Sequence, residues 1–395
     1  MSESIGFSDI AWYSVAACIV LSPLATTLWS RRAAMRTDKE RRAEIWLRSR
    51  QRARAVRLVS LALWWATWDL RDQPFLTPYS RAILFFAAPV MGIGISYLVA
   101  CTTSRAILDQ NWTGADILKL TWWSTFSVTI AVLLFATGFE FIYEKHLIGT
   151  FWIFFAGLTA VVGTARLRVA EGLKLRRVKS GKAYVRAFQL AREMGVRLDR
   201  VFVVPAGRGH LTNAYGTAHS VAITDNYGEF LHGSQLDYVI GHELGHVKEH
   251  HWRKRLPAAA LLYTTPALIA LMLPPAPSWL KAVIDLGLVL GPALALYYLS
   301  RRFEYAADRD SVELTRDPIM AIKALVNLHR MTGTPTSCSK LVELFLTHPS
   351  LTRRAVAIAY AGRMSPDRLS DILDAVHPVA DKVPVVVTSG DQHAS

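Results

Sequence analysis

Two histidines and a glutamate within one pentad, His242-Glu243-Leu244-Gly245-His246, have the types and spacing needed for metal-assisted hydrolysis. On an α-helix, residues four apart project from the same face, so His242 and His246 can offer two imidazole nitrogens to one tetrahedral ion. Glu243 lies beside that face, where its carboxylate can accept a proton from a water molecule that zinc has acidified. Such a pentad arises by chance in roughly one per cent of chains of this length and composition, so the hypothesis needs a third ligand.

The third ligand is expected in the segment Arg301–Asp308. Glu304 and Asp308 lie four residues apart there, and the spacing predicts that both carboxylates project from one helical face. Glu304 can complete a set of three protein ligands, and Asp308 can accept a hydrogen bond from the free ring nitrogen of a ligating histidine. The alternative is a solvated helix start with surface ion pairs. In combination with the pentad, the segment favours the metal site.

Hydrophobic periodicity and turn residues predict the elements that hold these side chains. The pentad helix has apolar residues at helical spacing, and Ser234 with Asp237 resembles a capping box at its start. Its far end, with His250 and His251, is expected to be solvated. The other predicted elements are a helix over Ala183–Met194, a strand over Arg200–Pro205, a hairpin of 213–216 with Ser220–Thr224, and helices starting at Asp317-Pro318 and Ser365-Pro366.

Composition indicates a membrane protein, because 52% of the 395 residues are apolar and the mean hydropathy is +0.23. A helix of roughly 20 apolar residues spans a bilayer. The candidate stretches are Ile10–Trp29, Val56–Leu70, Ala82–Cys101, Leu120–Ile142, Leu147–Ala165, Leu256–Pro274 and Trp279–Leu299. The second stretch is the shortest, and its tryptophans could equally place it flat in the membrane interface.

The distribution of basic residues favours seven spans. Arg31–Arg57 and Arg166–Arg200 are rich in Lys and Arg, and such segments are typical of the cytoplasmic side. An even number of spans must therefore separate them, which requires Val56–Leu70 to be counted. The same distribution explains the net charge of +14, so we expect a lipid bilayer and no nucleic acid as partner. The three cysteines form no Cys-x-x-Cys zinc site.

The pentad, paired with Glu304 and Asp308 across two predicted spans, resembles the integral-membrane zinc metallopeptidases of the HtpX and CAAX prenyl endopeptidase type. Two further segments match that family: Asn213-Ala214-Tyr215, and Thr347-His348-Pro349-Ser350-Leu351 followed by Arg354. The resemblance covers roughly Ala183 to Ala361 and does not extend to the first five predicted spans.

This resemblance implies a role for each matching residue. It implies His242, His246 and Glu304 as ligands of one Zn²⁺ per chain, with Glu243 as general base and proton shuttle. Asp308 is implied as the partner of a ligating histidine. Arg354 is implied either to pair with Asp308 or to steady the site, and His348 to donate to the oxyanion that develops on the scissile carbonyl. For His348, a plain turn residue before proline is the alternative. Asn213, Ala214 and Tyr215 are implied to hold an extended substrate on an edge strand.

The expected fold class is mainly α: a multi-span α-helical membrane protein with a cytoplasmic α+β gluzincin-like zinc peptidase domain. The predicted division of the chain is 1–173 (membrane region of about five spans, with a basic cytoplasmic loop at 30–57), 174–255 (first part of the peptidase domain), 256–300 (transmembrane hairpin), 301–376 (second part of the peptidase domain) and 377–395 (disordered tail).

The predicted function is hydrolysis of peptide bonds in membrane or membrane-proximal proteins, at a bacterial cell membrane, by a zinc-dependent endopeptidase. One alternative is a membrane scaffold or signalling receptor that binds zinc without turnover; the presence of Glu243 argues against it, because a purely structural zinc site needs no base. Processing of lipidated substrates is a further variant within the enzyme class. The sequence leaves the natural substrate and the oligomeric state open.

Overall fold

In the residues that it describes, the computed structural model is mainly helical and contains one small β-sheet. The described residues are 7–37, 39–66, 78–107, 112–143, 145–159, 176–204, 214–217, 219–224, 231, 233–274, 277–332 and 337–376. Asn213 and the tail 377–395 lie outside them.

The N-terminal half is built from helices. They are α1 (Phe7–Met35), α2 (Lys39–Ala66), α3 (Pro78–Ile107), α4 (Gly114–Tyr143) and α5 (Ile148–Thr159). Where the structure describes the first five predicted spans, their backbone is helical except at Leu147, which lies in a turn. The helical segment Arg253–Met272 is long and apolar enough to cross a bilayer. Within the described residues no other helix meets that criterion, and Ile148–Thr159 is a shorter apolar helix. The count of seven spans stays a prediction.

The basic segment 30–57 differs from the loop that the sequence predicts. Most of it belongs to α2, which packs antiparallel to α1 so that the hydroxyls of Ser22 and Ser60 lie 2.6 Å apart. Arg57 is buried, donates to Ser96 Oγ at 3.3 Å and covers the ring of Tyr97 at 4.5 Å. Arginine can enter a helix packing in this way because its long stem contacts apolar neighbours while its guanidinium finds polar ones.

The C-terminal half combines the sheet with further helices. These elements are β1 (Arg176–Val178), α6 (Lys182–Glu193), β2 (Arg200–Val204), β3 (Ala214–Thr217), β4 (Ser220–Thr224), α7 (Ser234–Lys248), α8 (His251–Met272), α9 (Ser278–Thr315), α10 (Pro318–Thr332), α11 (Lys340–Glu343), α12 (Leu351–Ala361) and α13 (Pro366–Val376). The predicted helix over Ala183–Met194, the strand over Arg200–Pro205 and the hairpin of 213–216 with Ser220–Thr224 are confirmed within the described residues by α6, by β2 and by the pair of β3 and β4.

The sheet has the strand order β1-β2-β4-β3, with β2 and β4 parallel and the other two pairs antiparallel. The strands β2, β3 and β4 pack with α6, α7, α9, α10, α12 and α13 around one hydrophobic core. The strand β3 lies at an edge of the sheet and contacts α7 directly. One face of the pentad helix α7 therefore lies against β3, the last strand in this order.

Helix starts agree with the sequence at two of three positions. The N–H of Met320 donates to Asp317 Oδ1 at 3.0 Å, as expected of a capping residue, and α13 begins at the predicted proline. The predicted capping box of α7 is wrong. Gly233 precedes that helix with φ 54° and no side-chain cap. Asp237 instead accepts two hydrogen bonds from Arg186, both at 2.8 Å, which ties α6 to α7.

The helix α9 is continuous over 38 residues. Its first part contains the last predicted span, Trp279–Leu299, and its second part contains Glu304 and Asp308. At a rise of about 1.5 Å per residue, Glu304 lies about 7.5 Å along the helix axis from the end of that apolar stretch. A single continuous helix thus connects the predicted membrane segment to the candidate site.

Candidate metal centre

Side chains of α7 and α9 converge on one point. Ligand atoms of His242, His246 and Glu304 all lie within 4.8 Å of one another. Nε2 of His242 is 3.6 Å from Glu304 Oε2, and Nε2 of His246 is 3.5 Å from Glu304 Oε1. A tetrahedral zinc ion with bonds near 2.0–2.1 Å separates its ligand atoms by about 3.3–3.4 Å. The two separations between a histidine nitrogen and a Glu304 oxygen are therefore close to those of a zinc site.

Two glycines allow the helices to approach closely enough for this convergence. A Cβ added at Gly241 would lie 2.6 Å from Ser311 Oγ, and one at Gly245 would lie 3.0 Å from Ala307 Cα. Ser311 Oγ also donates to the carbonyl oxygen of Tyr238 at 2.7 Å. Residues with larger side chains at these positions would push α7 away from α9 and separate the histidines from the carboxylate.

The buried carboxylate of Asp308 orients His242. Its Oδ1 is 2.8 Å from His242 Nδ1 and accepts from Tyr238 Oη at 2.7 Å. Arg354 of α12 pairs with it through two nitrogens, at 2.7 and 2.8 Å. The predicted contact between Arg354 and Asp308 is present in the structure. Because Nδ1 of His242 is bound to Asp308, the other ring nitrogen, Nε2, faces Glu304.

These contacts shift the ionisation of the buried groups. Burial acts to lower the pKa of His242, but hydrogen bonds and charge from Asp308 and Glu304 outweigh it and raise that pKa to about 10. Burial acts to raise the pKa of Asp308, yet the Arg354 guanidinium holds it below its usual range. The pKa of Glu304 is likewise held well below its usual range, against burial, by the surrounding histidines. Both carboxylates are therefore ionised at neutral pH.

Glu243 is buried next to the edge strand β3. A Cβ at Gly216 of β3 would lie 2.4 Å from the Glu243 carbonyl oxygen and 3.4 Å from its Oε2. Only glycine allows the strand to pass this close to the helix. Ala214 is buried in β3, and Tyr215 pairs with Ala222 of β4. The backbone of Ala214 and Tyr215 is therefore on the strand that flanks Glu243.

His348 reaches the site from the loop before α12. Its Nδ1 is 2.9 Å from Glu304 Oε2, and 54% of its side chain is exposed. Arg301 ties this loop to α9 by donating to the carbonyl oxygens of Glu343 and Leu346, at 2.8 and 2.7 Å. Glu343 in turn accepts from the Ser350 N–H at 3.0 Å. The loop is thus anchored one helical turn before Glu304.

Two side chains at the site were not predicted from the sequence. Tyr238 could have been found, because it lies one turn before His242 on the same helical face. His251 is buried, contrary to the expectation of a solvated helix end, and its Nδ1 is 2.7 Å from Nδ1 of His246. No spacing rule indicates it, because His250 adopts a left-handed conformation at φ 51° and turns the chain back towards His246. The expectation does hold for His250, which is exposed.

Comparison with known proteins gives a consistent result for this half of the chain. Residues 184–361 match the model of Peptidase family M48. A Protease HtpX homolog of Levilactobacillus brevis is 30% identical over 200 residues, which are 40% of this chain and 66% of that protein. A Protease HtpX homolog of Streptococcus thermophilus is 26% identical over 199 residues, with the same coverage. The chain thus spans slightly less than two thirds of these relatives.

A solved structure also aligns with most of the chain. The crystal structure of S. mikatae Ste24p covers 88% of this chain and 98% of its own, with 15% identity and a TM-score of 0.48. At this score the likeness carries no argument about fold or function. The match over 184–361 coincides with the segment that the sequence resemblance covers, and it includes the pentad, Glu304, Asp308 and Arg354.

Proposed function

We propose, on the premise that residues 184–361 form a Peptidase family M48 domain, that this chain is a membrane-anchored zinc endopeptidase. The observation that supports it best is the convergence of His242, His246 and Glu304 at zinc-ligand spacing, with the carboxylate of Glu243 on the same helix. One Zn²⁺ per chain would be held by the two Nε2 atoms and the Glu304 carboxylate. When bound, zinc acidifies a water molecule and polarises a carbonyl group.

The side chains around this ligand set have distinct tasks in the proposal. Glu243 takes a proton from the attacking water and delivers it to the departing amine. Asp308 fixes the ring of His242 through Nδ1, and Arg354 balances the charge of Asp308. His348 can donate a hydrogen bond to the oxyanion, which agrees with its exposed position beside Glu304.

A polypeptide substrate is proposed to bind as an additional strand. β3 is the last strand in the described part of the sheet, and an extended peptide can add to such a strand through main-chain hydrogen bonds. The extended peptide would then run past Glu243, which is adjacent to Gly216 of the same strand. Asn213, Ala214 and Tyr215 would contribute this edge; Asn213 lies outside the described residues, so its part rests on the family resemblance.

Exposed apolar side chains support attachment to a lipid bilayer. On α8, Leu261 is 67% exposed and Met272 is 85% exposed. Exposed apolar side chains on a helix that is long and apolar enough to cross a membrane are typical of a helix in contact with lipid. The hairpin 256–300 would therefore anchor both parts of the peptidase domain, 174–255 and 301–376, at the membrane surface. Orientation towards the cytoplasm of a bacterial cell is proposed from the basic segments.

Substrates are expected among membrane or membrane-proximal proteins, because a site attached to α9 reaches only polypeptides near the bilayer. The non-catalytic alternative, a zinc-binding scaffold or receptor, is less favoured. A structural zinc site needs no base beside the metal, whereas here Glu243 is buried next to Gly216 of β3.

The proposal is tested by chelation and zinc reconstitution in mild detergent. Wild type should contain one zinc per chain, cleave a denatured membrane protein, lose cleavage after chelation and regain it with zinc. Glu304→Gln should lose most of the zinc and the cleavage together. A control is Glu313→Gln, an exposed carboxylate on the same helix, which should behave as wild type. Full cleavage by the chelated wild type would overturn the proposal.

A further inference from the structure

The second histidine of the pentad has a partner of its own, and that partner is not a carboxylate. Nδ1 of His246 and Nδ1 of His251 are 2.7 Å apart, a hydrogen-bond distance that requires one proton between the two nitrogens. Nε2 of His246 is on the side of Glu304, at 3.5 Å from its Oε1. His246 can offer a lone pair at Nε2 only if its Nδ1 carries the proton. His251 must then accept through an unprotonated Nδ1.

The ring of His251 is held by contacts independent of that hydrogen bond. It is 4% exposed, and it stacks on Phe303 with ring centroids 4.0 Å apart and planes 15° apart. Phe303 precedes Glu304 in α9, and Arg255 of α8 lies over the Phe303 ring at 5.7 Å. His251 thus joins the helix of one proposed ligand to the helix of another. The left-handed residue His250 is what allows the chain to place it there.

We propose that His251 is a positioning residue that fixes His246 as the Nδ1-protonated tautomer and directs its Nε2 towards the metal. This inference rests on the proposed zinc site. It makes the two histidine ligands unequal: His242 is oriented by the carboxylate of Asp308, and His246 is oriented by a neutral acceptor. Outer partners of zinc-binding histidines typically change metal affinity by 10- to 100-fold when they are removed.

The test compares two replacements of nearly equal shape. His251→Asn keeps an acceptor near the position of Nδ1, whereas His251→Leu has none. His250→Asn is the matched control, because the neighbouring side chain is exposed and asparagine tolerates the left-handed conformation. For each full-length protein, zinc affinity is measured by competition with a chromogenic chelator, the visible spectrum of the cobalt-substituted protein is recorded, and the thermal unfolding midpoint is determined.

The proposal predicts a zinc affinity about 10- to 100-fold lower for His251→Leu, with an altered cobalt spectrum. His251→Asn should bind within about threefold of wild type, and His250→Asn should match wild type. If the Asn and Leu variants bind zinc equally, at either wild-type or reduced affinity, the inference is overturned. Should His251→Leu fail to fold, His251→Asn remains a test, because an altered cobalt spectrum in that variant would overturn the inference. If wild type itself binds no zinc, the proposed function fails, and this outcome is distinct from the others.

Discussion

Replacement of Asp308 by asparagine should weaken both the fold and the metal site, because this carboxylate serves three partners at once. It is 1% exposed and is contacted by Tyr238 Oη, by His242 Nδ1 and by two nitrogens of Arg354. Removing one member of a buried ion pair costs about 3–5 kcal/mol. Asparagine preserves the volume and one acceptor oxygen, so we expect the lower end, about 3 kcal/mol.

The same replacement should reduce zinc affinity by about 10- to 100-fold, which corresponds to about 1.4–2.7 kcal/mol. The amide can present an N–H to Nδ1 of His242, and this favours the wrong tautomer for a ligand that uses Nε2. The thermal unfolding midpoint of the detergent-solubilised protein and a chelator competition measure the two effects separately.

Two controls isolate the cause. Asp310→Asn changes a buried carboxylate two residues further along α9 that pairs with the half-exposed Lys248 at 2.8 Å, and it should leave zinc affinity unchanged. In the double variant Asp308→Asn/Arg354→Gln the orphaned guanidinium is gone, so the loss of stability should be smaller than the sum of the two single losses. Additive losses, or an Asp308→Asn protein with wild-type zinc affinity, would show that Asp308 does not serve both the ion pair and the metal site.

Two further predictions concern the edge strand and the ionisation of the ligands. Gly216→Ala should retain zinc but lose at least about tenfold in cleavage, with about 1–3 kcal/mol of destabilisation, because the new Cβ would lie 2.4 Å from the Glu243 carbonyl oxygen; a wild-type kcat/KM would count against the proximity of β3 to the base. In chelated protein the folded pKa of His242 is about 10, against about 6.5 in an unfolded chain. Between these two pH values the folded state binds one more proton at His242 than the unfolded state does. The contribution of His242 to the free energy of unfolding is therefore complete below about pH 6.5, and it declines towards pH 10 by up to about 1.4 kcal/mol per pH unit. Thermal midpoints of chelated wild type and His242→Gln across this range test it, and parallel curves for the two proteins would show that His242 is not responsible.

Local patterns in the sequence predicted much of this site. The i, i+4 spacing of His242 with His246, and of Glu304 with Asp308, requires only helical geometry, and the structure has both pairs on helices. The hairpin of β3 with β4 and the cap at Asp317 follow from equally local rules. These features depend on neighbours in the chain, which a sequence displays directly.

The features that the sequence did not predict depend on tertiary contacts. The contact of His251 with His246 requires the left-handed conformation of His250, and the residue types at this position do not predict that conformation. The basic segment before Arg57 was expected to be a loop because of its charge, but packing against α1 and α3 gives it a helical structure with buried arginine. Asp237 was assigned to a cap and instead pairs with Arg186, which is distant in sequence.

The most direct test of the central claim is a paired measurement of zinc content and cleavage rate in Glu243→Gln. This change leaves His242, His246 and Glu304 intact and removes only the proposed base. If Glu243 is the general base, we expect this variant to bind one zinc per chain, to keep the wild-type thermal midpoint and to cleave a denatured membrane protein at least about 10²-fold more slowly than wild type. Cleavage at the wild-type rate by the zinc-loaded Glu243→Gln protein would show that Glu243 is not the base.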